Sequence, residues 1–162
     1  MARPGRNGAS SVLRRLKIST LVGLLCFTVS IAWAAVVGMP EAVDEDPVGT
    51  LDFAGFLLLI VVITPIIESV IFAAFLFFIK RRTTAVLALY AISMFLFGWW
   101  AHGSDWGSVG KGVSFSLLAG LTYHSSVGGG LRAGIMSNIT AHAIWNALSV
   151  LSGVLFATYL TI

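Results

Sequence analysis

Long apolar runs separated by short polar punctuation dominate this chain. Residues 18–39, 53–79, 83–101 and 131–162 are each of span length or longer, and 113–123 is a shorter apolar run. A helix of about 20 apolar residues crosses the hydrocarbon core of a bilayer. The pattern therefore predicts an all-α fold: a polytopic transmembrane helical bundle of about five spans, one of them short or re-entrant. It divides the chain into a basic cytoplasmic tail (1–17), an N-terminal transmembrane anchor (18–39) and a core (53–162). A cleavable signal ending near Ala32-Trp33-Ala34 is the competing reading of the first run; the apolar stretch continues past that point, which favours a retained anchor.

The punctuation adds detail. Pro65 interrupts the 53–79 run and predicts a kink just before Glu68, because proline lacks an N–H and crowds the preceding turn. Backbone groups freed at that depth need a partner or water. The glycine-rich segment 124–130 reads as a flexible turn, and the last run, longer than one span requires, is expected to bend near Gly153.

Composition supports the membrane reading. Of 162 residues, 57% are hydrophobic and 10% charged, against roughly a quarter charged in soluble domains, and mean hydropathy is +0.94. The net charge of +3 does not point to nucleic acid, because the basic residues stand at the ends of apolar runs and lack interleaved base-stacking aromatics. The basic tail, Lys80-Arg81-Arg82 and Arg132 would be cytoplasmic and the acidic 40–52 segment and Asp105 external, with Lys111 the exception. Localisation is thus an integral cell-membrane protein, N-terminus inside, with the lipid bilayer as its first partner. The acidic 40–52 segment lacks the glycine-turned spacing of a calcium loop and reads as a solvated linker. The single cysteine, Cys26, excludes an intrachain disulfide. No internal repeat of the transporter kind is visible.

Three awkward residues sit in or beside the apolar runs: Glu68, His102 and His142. His142 and Asn146 stand four apart and share one helix face, which Asn138 extends. Such residues either hydrogen-bond neighbouring helices or mark a wet functional cavity. Depth favours a shared site for two of them. Glu68 lies about 18 Å of helix from Lys80, and His142 about 15 Å from Arg132. His102, about 30 Å from Arg82, falls near the opposite surface unless a tilt or a break at Gly98 brings it back. If the groups converge, Glu68 can serve as general base on water with His102 as its partner. His142 and Asn146 offer N–H donors to an oxyanion, with no Ser or Cys nucleophile.

These residues resemble the CPBP, or CAAX-protease-like, intramembrane protease family. Pro65-Ile-Ile-Glu68-Ser69-Val-Ile-Phe72-Ala73 is similar to its Glu-Glu-x-x-x-Arg motif. The region ending in His102 is similar to Phe-x-x-x-His, and His142-Ala-Ile-Trp-Asn146 to His-x-x-x-Asn. The resemblance, covering about residues 53–152, implies a helical bundle with an intramembrane site. It also implies an endopeptidase acting on a peptide or protein, possibly lipidated. Glu68 and His102 would activate the water, and His142 and Asn146 would hold the oxyanion. It departs at Ser69 for the second Glu, at Ala73 for the Arg, and at Gly98, with Phe97 one position off.

Two other readings stand beside the peptidase. One is a catalytically impaired relative acting as an immunity or scaffold protein, the other a small proton-coupled carrier component using Glu68 and a histidine. No cofactor is expected, and a divalent metal at the Glu/His site stays open.

Overall fold

The computed structural model describes residues 6–37, 53–79 and 83–160, with side chains for all but 6–9 and 156–160. The acidic 40–52 segment and the Lys80–Arg82 loop lie outside the described residues. Every described element is helical: α1 (Arg6–Val37), α2 (Phe53–Leu57), a π-helical segment (Leu58–Ile63), α3 (Thr64–Phe78), α4 (Thr84–Ala101) and α5 (Val109–Leu160). Ser10–Val37, Phe53–Phe78 and Thr84–Ala101 are each long and apolar enough to cross a membrane. Their outward faces carry large apolar side chains, such as Leu21, Phe77 and Leu89, as a bilayer-embedded surface requires.

Local structure departs from the sequence expectation in four places. From Arg6 on, the basic segment is continuous in helix with the anchor, because α1 runs unbroken from Arg6 through the first apolar run. The 124–130 segment is not a loop: helix continues through Gly129, and only Gly130, at φ 76° and ψ 173°, breaks it. Such a left-handed φ costs glycine nothing, whereas a residue with a side chain would be strained there although the space around it is open. The short run 113–123 is part of a longer arm, 109–129, about 31 Å of helix. Helix also continues past Gly153, which keeps helical dihedrals.

The break at Gly130 folds α5 into an antiparallel hairpin, seen in the pairings of Asn138 with Thr122 and of His142 and Trp145 with Phe115. This hairpin is the centre of the molecule. On one side α1 meets it through small polar residues: Cys26 Sγ donates to Ser114 O at 3.6 Å, and Ser114 Oγ donates to Cys26 O at 3.2 Å. Small side chains let helix backbones approach closely where lipid supplies no hydrophobic drive. On the other side α4 packs on the first arm, where Ser116 donates to Ala91 O at 2.9 Å. It is also tied to α3 by Tyr90, which donates to Phe72 O at 3.0 Å. Phe115, fully buried, sits where α3, α4 and both hairpin arms meet.

Candidate functional site

The site begins with the proline. Leu58–Ile63 winds as a π-helix, and Thr64 donates its N–H to Leu59 O, five residues back. In that register residue 65 would donate to Ile60 O, but proline has no N–H to give. The orphaned carbonyl is taken by Asn146, whose Nδ2 donates to Ile60 O at 2.8 Å. The expected kink is thus a π segment, and the partner required at that depth is a side chain of α5. This bond clamps the Glu68 helix onto the hairpin.

One turn beyond Pro65, Glu68 points at the same hairpin. Its Oε2 stands 3.2 Å from His142 Nε2, with 13% of the Glu68 side chain and 2% of His142 exposed. The two atoms meet within ion-pair distance. Glu68 Oε2 and His142 Nδ1 are buried with no hydrogen-bond partner. The depth match expected from the helical rise is realised here as direct contact.

The adjacent residue behaves differently. Ser69, fully buried, donates to Asn138 Oδ1 at 3.0 Å; Asn138 Nδ2 donates to Thr122 Oγ1 at 2.7 Å; Thr122 donates to Leu118 O at 2.8 Å. The neutral chain joins α3 to both arms of the hairpin. Ala73, at the position of the motif arginine, is buried against the same core.

His102 caps the C-terminus of α4, which runs through Gly98 without a break. Its ring stands edge-on to Phe115, centroids 5.6 Å apart, and His142 stands edge-on to the same ring, also at 5.6 Å. One phenyl layer therefore relates the two histidines. The approach depends on Gly98, because a Cβ there would fall 2.5 Å from the Phe115 ring. His102 Nε2 is buried and lacks a hydrogen-bond partner. The turn after it is held by Ser108, which donates from its hydroxyl to His102 O and from its amide to Asp105 Oδ1, the latter at 2.7 Å. The Ser108 side chain, then its backbone N–H, holds the exposed Asp105 carboxyl below its ordinary pKa.

No known protein family, curated protein or solved structure matches this chain.

Of the four residues singled out in the sequence, the structure brings Glu68 and His142 into contact. It sets His102 one ring away and ties Asn146 to the backbone of the Glu68 helix. Among the described residues no three His, Cys, Asp or Glu side chains converge as metal ligands would. Asn138 was visible in the sequence as part of the polar stripe, though without a partner. Thr122 and Phe115 carried no signal at all, since one threonine and one phenylalanine in an apolar run look like any other.

Proposed function

We propose that this chain is an integral-membrane endopeptidase of the CAAX-protease-like kind, with Glu68 and His142 as its chemical centre. The observation that carries the reading is the buried carboxylate–imidazole contact in which both partners keep an unsatisfied atom. A purely structural pair in an apolar bundle satisfies its valences, because each open one costs about 1–3 kcal/mol. A pair with open valences is suited to take up a water and a carbonyl.

In this proposal Glu68 accepts a proton from water as the water oxygen bonds to the scissile carbonyl carbon. The carbonyl electron pair moves to its oxygen, which meets an N–H donor from His142. When the tetrahedral intermediate collapses, the C–N bond breaks and the proton held by Glu68 passes to the leaving amine. His102, across Phe115, borders the centre and assists Glu68. Asn146 has one N–H committed to Ile60 O; in this proposal its other N–H, one helical turn from His142, serves as a second oxyanion donor. No metal takes part in these steps. The arms of α5 make a fourth and fifth crossing, and the basic end, with the N-terminus, faces the cytoplasm by the charge asymmetry of the sequence.

The non-catalytic reading draws on Ser69 and Ala73, which fill the motif's charged positions with closed, neutral packing. One experiment separates the two. The full chain in proteoliposomes is given a pool of membrane-inserted peptides in ¹⁸O-water, and cleavage products are read by mass spectrometry. The peptidase reading expects ¹⁸O in new carboxyl termini, and Glu68→Gln lowers that signal about 10²–10⁴-fold at unchanged folding. Absence of labelled products from the unsubstituted chain sinks the peptidase reading.

A further inference from the structure

Away from the Glu68 centre, the end of the bundle at the hairpin turn carries a second feature. A cleft of about 410 Å³ opens between α1 and the start of the second hairpin arm, lined by Arg15, Ser19, Arg132 and Ser137. Arg15 also borders a cleft of about 370 Å³ on the other side of α1, beside Arg14 and His124. No carboxylate opposes these arginines among the described residues: Glu68 is held by His142, and Asp105 lies in the 102–108 turn. The Arg15 guanidinium is seated against the backbone of the turn, where a Cβ on Gly129 would lie 2.6 Å from its Nη1. Below the arginines the rim is apolar, with Val12, Leu16 and Met136 all more than half exposed, and is continuous with the lipid-facing surface.

A cationic pocket that grades into an apolar wall matches a ligand with an anionic head and hydrocarbon chains. The geometry points to a binding site for an anionic phospholipid, its phosphodiester held between Arg15 and Arg132 and its acyl chains lying along Val12, Leu16 and Met136. A free phosphate would use the arginines and leave the apolar rim idle; a lipid uses both. Basic pockets between helices at a membrane surface recognise such head groups by charge, about fivefold in affinity per basic residue. This site is independent of the peptidase reading.

The test is a binding titration of the full chain in neutral detergent. The probes are short-chain phosphatidylglycerol, phosphatidylcholine of equal chain length and inorganic phosphate, and thermal unfolding serves as a second readout. Phosphatidylglycerol binds and raises Tm, phosphatidylcholine does so much more weakly, and inorganic phosphate fails to displace the lipid. Arg132→Gln, at an exposed position, weakens phosphatidylglycerol roughly fivefold, and pairing it with Arg15→Gln weakens it roughly 25-fold. Lys17→Gln, on the same helix but outside the cleft, leaves affinity nearly unchanged. Equal binding of phosphatidylcholine overturns the anionic site, and so does unaltered affinity in Arg132→Gln. Full displacement by inorganic phosphate overturns the lipid assignment.

Discussion

Glu68 and Ser69 are neighbours on one helix, face the same hairpin, and have opposite fates. Ser69 enters a hydrogen-bond chain that closes through Asn138 and Thr122 on a backbone carbonyl. Glu68 meets His142 at 3.2 Å and closes nothing, since an oxygen and a ring nitrogen stay open. Inside an apolar bundle, closed polar groups hold helices together and open ones are available for chemistry. Asn146 straddles the two classes: one N–H closes on Ile60 O, and the other is the proposed oxyanion donor, one helical turn from His142.

The largest expected effect breaks the open half: on the proposed peptidase reading, Glu68→Gln lowers hydrolysis about 10²–10⁴-fold while leaving thermal stability close to that of the unsubstituted chain. A large loss of Tm in that variant would show that Glu68 belongs with the structural groups. Gly98→Ala comes next. A methyl group 2.5 Å from Phe115 forces the ring out of its place between the two histidines. We expect a cost of about 1–3 kcal/mol in a reversible unfolding assay, and unchanged stability would show that Phe115 is free to move.

Breaking the Ser69–Asn138–Thr122 chain should act on folding alone. Asn138→Ala leaves the Ser69 and Thr122 hydroxyls without their shared partner and should cost about 1–2 kcal/mol. Among properly folded molecules it should spare the Glu68 chemistry; a matching loss of hydrolysis would mean that the two networks act as one. Asn146→Leu should cost about 1 kcal/mol by orphaning Ile60 O. In a Pro65→Ala background, where residue 65 regains an N–H, the same substitution should cost less. Additive effects in that double-mutant cycle would refute the account of the π segment.

The smallest effect lies at the exposed Asp105 carboxylate. The Asp105 pKa is lower folded than unfolded, so its contribution is complete above the ordinary aspartate value of about 3.9. It fades as pH falls through the folded value. Trp99 donates its Nε1–H to Asp105 O, so tryptophan fluorescence should report a small change only on the acid side of that range. Asp105→Asn should abolish it.

Much of the fold was legible because apolar run length and a lone proline are local properties. They set the helices, the membrane-spanning lengths and the break near Glu68 from sequence alone. The rise per residue also placed Glu68 and His142 at one depth, and they touch. The glycine-rich turn misled: three successive glycines, 128–130, look like a loop, but helix runs through Gly128 and Gly129, and a single positive φ at Gly130 suffices to reverse the chain.

The sequence by itself determined a helical membrane protein with a carboxylate and an imidazole at matching depth. It could not assign partners. That Asn146 satisfies a proline's missing bond, that Ser69 is closed while Glu68 is open, and that Phe115 separates two histidines were decided by the tertiary structure. The physical reason is that hydrogen-bond satisfaction is a property of pairs of atoms far apart in the chain, and only packing brings them together.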